Sequence, residues 1–144
     1  MSHEAPEAPA AKATVLIYSD DRSTRDQVRL ALGRRVAADL PEIETVECAT
    51  HQAVTKTLDQ GGIDLVVMDG ESTPAGGIGL CRQVKDEIAN CPPVVLLVAR
   101  VADAWLATWS RAEGVVPYPI DTVRLPTTVA EVLRARLGSE AATL

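Results

Sequence analysis

Apolar positions along this chain follow two alternating rhythms. Short runs rich in β-branched residues, Thr14–Tyr18, Ile43–Cys48, Ile63–Met68, Pro93–Val98 and Val115–Tyr118, read as strands. Helical spacing fills the intervals. Thr24–Val36 carries Val28, Leu32 and Val36 four residues apart, with Leu30 and Ala31 widening the stripe. Thr50 is the expected N-cap of a helix over His51–Gln60, which Gly61-Gly62 stops. Ile78–Ile88 carries Cys81, Val84 and Ile88 on one side, and Ala102–Ala112 carries both tryptophans. Thr127 or Thr128 is expected to cap a last helix to Leu137, with Gly138 ending it. Five strand–helix units with short connections predict an α/β fold, a doubly wound (βα)5 parallel sheet with helices on both faces. The strand order then reverses at the first strand, and ligands bind where it reverses.

Composition adjusts this picture in a few places. The 144 residues predict one domain, residues 13–138, between a tail at 1–12 and a short C-terminal tail at 139–144. The first tail is rich in Ala, Pro and Glu without a period and reads as disordered. Hydrophobic residues make up 47% of the chain but aromatics only 3%, so the core is expected to be aliphatic. A net charge of −6 without a Lys/Arg cluster argues against nucleic acid as a direct partner. The run Val94 to Ala99 is too short to span a bilayer, and the N-terminus has neither the basic nor the apolar part of a signal peptide. Cys48, Cys81 and Cys91 lack metal-ligand spacing and read as reduced thiols of a cytoplasmic protein.

The candidate chemistry sits at strand ends. Gly62–Gly70 is a β-branched run whose last strand residues are Met68 and Asp69, and Val15-Leu16-Ile17-Tyr18-Ser19-Asp20-Asp21 ends similarly. Adjacent strands would bring Asp20, Asp21 and Asp69 to one point. Carboxylates that close repel unless a cation or a proton lies between them. That chemistry points to a divalent metal and to phosphoryl transfer.

With these residues in view, the chain resembles the receiver domain of two-component response regulators, a flavodoxin-like fold with sheet order 2-1-3-4-5, over roughly Ala13 to Leu137. The resemblance places Asp69 on the phosphoacceptor and Asp20 on the second acid of the pair after the first strand, the direct Mg²⁺ ligand. Glu71 falls on the position whose backbone carbonyl completes the metal site, so Asp20, Asp69 and Glu71 are the implied Mg²⁺ set. Gly77 matches the glycine opening the third helix. Pro119 matches the proline of the Lys-Pro motif, which in the family usually follows a cis bond. The departures are as informative. Ser19 replaces the first acid, Ala99 the Thr/Ser that bonds the phosphoryl group, Tyr118 the Lys, and Val115 the switch aromatic, while the proline after the acceptor comes one residue late, at Pro74. Losing the Lys contact costs about 1.5–3 kcal/mol, and losing the hydroxyl bond about 1 kcal/mol more. Such losses lower transfer rate and phospho-state lifetime by factors on the order of hundreds, and one acid fewer weakens a hard-cation site. Asp20 and Asp69 are therefore either a working Mg²⁺ and phosphate site, or a relic or purely structural acidic cluster satisfied by backbone N–H groups. The departures favour the second.

Other signals are weaker. Trp105 and Trp109 lie four residues apart with Leu106 beside them. They read either as core or as a partner surface, since Trp is enriched at binding hot spots and this helix belongs to the usual receiver interaction face. Tyr118, between Pro117 and Pro119, is a simple turn residue or a fixed aromatic presented to a partner. Gly76-Gly77-Ile78-Gly79 lacks the dinucleotide spacing. Arg22, Arg25 and Arg29 read as a solvated helix face, and no Ser-His-Asp or Cys-His set is visible. No enzyme activity is expected.

The expected function is that of a stand-alone, atypical receiver-like domain acting by protein–protein contact, since only seven residues follow Leu137. Its sequence style resembles orphan actinobacterial receivers. That resemblance implies a regulatory or accessory subunit of a larger complex, with the membrane-associated respiratory NADH dehydrogenase as one candidate. The domain would then be cytoplasmic, peripheral to the membrane only through its partner. The alternative is a conventional phosphorelay regulator phosphorylated on Asp69 by a histidine kinase.

Overall fold

The computed structural model describes residues 12–72, 77–100 and 105–142, without the side chains of residues 106, 107 and 139–142. Ten elements alternate: β1 (Ala13–Tyr18), α1 (Arg22–Leu32), β2 (Ile43–Cys48), α2 (His51–Gln60), β3 (Leu65–Asp69), α3 (Gly77–Glu87), β4 (Val94–Val98), α4 (Trp105–Ser110), β5 (Gly114–Pro117) and α5 (Arg124–Ala142). The strands form one parallel sheet in the order β2-β1-β3-β4-β5. The doubly wound expectation holds, including the reversal at β1.

Residues alternate across a strand, and this chain has apolar side chains at both sets of positions in its central strands. Val15, Ile17, Leu65, Val67, Val95 and Leu97 pack with Val28 and Leu32 of α1 and with Leu125, Val129 and Leu133 of α5. Leu16, Tyr18, Val66, Met68, Leu96 and Val98 pack with Val54 and Leu58 of α2 and with Leu80 and Val84 of α3. Every residue of β3 and β4 is buried. The core is aliphatic, with Tyr18 its one fully buried aromatic ring among the described residues. Cys48 and Cys81 are buried free thiols, and Cys91 is half-buried. Burial pushes the Cys81 thiol up to about 11, so it stays protonated at neutral pH.

Helix boundaries depart from expectation in the first and last helices. The first helix starts at Arg22, capped by Asp21, and stops at Leu32 because Gly33 follows at φ 63°. Val36 therefore lies beyond the helix, packed against the core from a loop. The last helix starts at Arg124, not at Thr127 or Thr128, because Asp121 Oδ1 accepts from the backbone N–H of Val123 (2.7 Å) and of Arg124 (3.0 Å). It runs through Gly138 to Ala142. Glycine inside a helix costs only about 1 kcal/mol, and good helix formers flank it here. At the fourth helix, the expected start at Ala102 lies outside the described residues. So do residues 1–11, Pro74, Gly76 and the Leu106 side chain.

Both sheet edges carry polar or helix-breaking chemistry. The β2 edge exposes Glu44 and Glu47, and the β5 edge is a four-residue strand from Gly114 to Pro117.

Candidate functional site

β1 and β3 are hydrogen-bonded neighbours with Tyr18 level with Met68. The residues beyond them, Ser19 and Asp20 on one side and Asp69 on the other, therefore meet at the switch point. Asp69 is only 4% exposed. A buried carboxylate needs donors, and three are supplied. Ser19 Oγ donates to Oδ2 at 2.7 Å. The backbone N–H of Glu71 donates to Oδ1 at 2.9 Å. The Tyr118 phenol is the third. None of the three is charged. Tyr118 is half-buried, with its hydroxyl on the Asp69 side. The Tyr118–Pro119 bond is cis, as the resemblance implies.

Burial, then the hydrogen bond and charge of Asp69, push the Tyr118 phenol far above its ordinary range; burial pushes Tyr18 upward too. A group with a raised folded pKa holds its proton more tightly when folded. Its stabilisation is complete below the unfolded pKa of about 10 and is lost as pH climbs above it. Stability is therefore expected to fall with a steep slope above about pH 10. Tyr118→Phe is expected to make that slope shallower, as measured by urea unfolding at stepped pH. An unchanged slope would mean that Tyr118 ionises freely.

Asp20 makes a reciprocal pair with a residue that sequence reading passed over. Its backbone N–H donates to Ser72 Oγ at 2.6 Å, and Ser72 Oγ donates back to Asp20 Oδ1 at 2.7 Å. Arg25, expected on a solvated helix face, is also drawn in. Its side chain is only 14% exposed, with Nε on Glu47 at 3.0 Å and an NH group on the Ser19 carbonyl at 2.7 Å. It fixes the loop after β1 and is not part of a solvated face. The signals available were a hydroxyl three residues after Asp69 and an arginine one helical turn beyond Asp21. Asp21 itself accepts from the Ser23 N–H at 2.9 Å as the cap of α1, so it does not join the acids.

The donor set for Mg²⁺ is of the right hard-oxygen kind. In the resting arrangement these donors are engaged in hydrogen bonds within the chain. Asp20 and Asp69 each have a carboxylate oxygen committed to a serine hydroxyl. Among the described residues no three His, Cys, Asp or Glu side chains converge.

Glu71 spans the mouth of the site. Its Oε2 accepts from the Ala99 N–H at 3.3 Å, just past β4. Ala99 is exposed and has no hydroxyl to offer. Val115 is part-buried beside the α2–α3 core. Two glycines let the elements close around Asp69. A Cβ on Gly70 would stand 2.6 Å from the Leu97 carbonyl oxygen, and one on Gly77 would collide with the Asp69 carbonyl.

The tryptophans lie on α4, away from this cluster. Trp105 is 65% and Trp109 47% exposed, so neither is core. The Arg82 guanidinium lies 4.8 Å over the Trp109 ring and donates to the Trp109 carbonyl at 2.7 Å.

No family model matches the chain. Response regulatory proteins of two Mycobacterium tuberculosis strains, both described as uncharacterized, are 51% identical over 121 residues, covering 84% of this chain and 91% of theirs. The chain belongs to the response regulator receivers. Solved receiver structures share the fold at lower identity. The Francisella response regulator 1452 receiver domain superposes with TM-score 0.72 at 17% identity, over 86% of this chain and 98% of that one. A LuxR-family regulator from Aurantimonas gives 0.73 at 22%, over 88% of each chain. Receivers are signalling domains that work through contacts with other proteins, kinases among them. No helix among the described residues of this receiver is long and apolar enough to cross a membrane.

Proposed function

We propose that this receiver is atypical: it acts as an adaptor through protein–protein contact, and its acceptor is held in a hydrogen-bonded resting state. The observation that carries this reading is the neutral cage around Asp69, with a serine hydroxyl and a tyrosine phenol at the positions where the family has an acid and a lysine. Phosphoryl transfer to a carboxylate depends on positioning and on charge stabilisation. A phenol donates a hydrogen bond but brings no positive charge to the incoming oxygens. Asp20, Asp69 and the Glu71 carbonyl are the groups that would hold Mg²⁺, and the two carboxylates already accept from Ser72 and Ser19 in the resting state. Without a hydroxyl at Ala99 or an aromatic at Val115, a phosphoryl group has little by which to favour one conformation over another.

The exposed Trp105 and Trp109 support α4 as the contact face, since large aromatic anchors dominate binding energy. A regulatory role in a larger cytoplasmic or membrane-associated complex fits this reading. For the respiratory NADH dehydrogenase in particular, the support is sequence style alone.

The test is titration with Mg²⁺ and beryllofluoride, followed by Trp fluorescence and amide NMR. The adaptor reading expects no saturable response at millimolar ligand. Saturable shifts that begin at Asp69 and spread to Trp105 and Trp109 would favour the conventional phosphorelay instead. In partner capture, Asp69→Asn is expected to leave binding intact, and Trp109→Ala to weaken it by roughly 30-fold or more, as hot-spot truncations do. Binding abolished by Asp69→Asn would overturn the reading.

A further inference from the structure

The adaptor reading leaves open what holds the end of β4 in place when no phosphoryl group arrives. We infer that Glu71 does so, as a chain-borne anion in the place a phosphoryl group would take. The inference rests on that reading and extends it to the way the output end is fixed. Glu71 is tied at both ends. Its backbone N–H is bound to Asp69 Oδ1 at 2.9 Å, and its carboxylate reaches across to the Ala99 N–H at 3.3 Å. One negative group therefore bridges the loop after β3 and the residue just past β4. Ala99 offers nothing but its backbone donor, and a backbone N–H bonds better to an anion than to a neutral acceptor. The anchor is permanent because it is part of the chain, and a group covalently held beside its target pays little entropy to reach it. The next described element after Ala99 and Arg100 is α4, which opens with Trp105.

Glu71 is exposed, so its variants are expected to fold normally, with circular dichroism as the check. In amide NMR of the full chain, Glu71→Ala is expected to shift the Ala99 N–H upfield and to speed its hydrogen exchange about fivefold, the scale of one lost hydrogen bond. Glu71→Gln, which keeps an acceptor but no charge, is expected to fall between the two. Tryptophan emission is expected to move in the same order. An Ala99 signal unchanged in both variants, or a changed one with tryptophan emission unmoved, overturns the inference. Neither result touches the adaptor reading, which stands or falls on the beryllofluoride titration of the wild type.

Discussion

Gly77→Ala is expected to destabilise the domain by about 1–3 kcal/mol, the usual cost of forcing atoms into a close-packed site. Gly79→Ala, two residues along the same helix, is expected to stabilise it by about 0.5–1 kcal/mol. The substitutions are chemically identical and the surroundings decide the sign. A methyl group on Gly77 meets the Asp69 carbonyl and comes within 2.9 Å of Met68 Cγ, and the backbone of β3 cannot yield without moving the site. At Gly79 there is nothing within 4 Å, so the methyl group only restricts the unfolded chain and favours the helix. In a chain this long, each kcal/mol moves Tm by roughly 2–4 °C, so thermal unfolding separates the two variants. If Gly77→Ala melts no earlier than Gly79→Ala, α3 is not seated against the end of β3 as described.

The second large effect is expected on ligand binding. The combined substitution Ser19→Asp, Ala99→Thr and Tyr118→Lys replaces the neutral cage with an acid, a hydroxyl and a cation. The lysine contact contributes about 1.5–3 kcal/mol and the hydroxyl about 1 kcal/mol. At about 1.4 kcal/mol per factor of ten, Mg²⁺-dependent beryllofluoride affinity is expected to rise by about 10² to 10³ over wild type. The same variant places a second carboxylate beside buried Asp69, so it is expected to melt lower than wild type without Mg²⁺ and to recover when the ion is added. Calorimetric titration together with melting at graded Mg²⁺ measures both effects. Equal beryllofluoride affinity in wild type and variant would mean that the cage is no obstacle to phosphoryl chemistry.

Much of the fold was legible because period and chemistry agreed. The runs in β1, β3 and β4 are buried on both faces, so they read as continuous apolar strands, and Thr50 and Gly61 mark the ends of α2 as their backbone chemistry requires. The misplaced boundaries have local causes. The period continued to Val36 although Gly33 had already turned the chain, and Gly138 was taken as a stop although no positive φ was needed there. At the site, the approach of Asp20 to Asp69 followed from strand order, while the expected third member, Asp21, is instead the cap of α1. The roles of Ser72, Arg25 and the Glu71 carboxylate did not, because each depends on how a loop folds back over the strand ends. Likewise, Tyr118 reads in sequence as a missing lysine, and its action on Asp69 emerges only once the chain is folded.

The two margins of the sheet limit how this domain can associate. An unpaired strand is an open row of donors and acceptors, and a partner or a second copy can extend a sheet by pairing with it. Here one margin presents the Glu44 carboxylate, with Glu47 held by Arg25 and Arg29, and an identical margin would meet Glu44 with like charge. The other offers four residues ending in Pro117, too short to template a strand and closed by a residue with no N–H to give. Strand addition and amyloid-like stacking are thus disfavoured at both borders, leaving helical surfaces as the places where other molecules can attach.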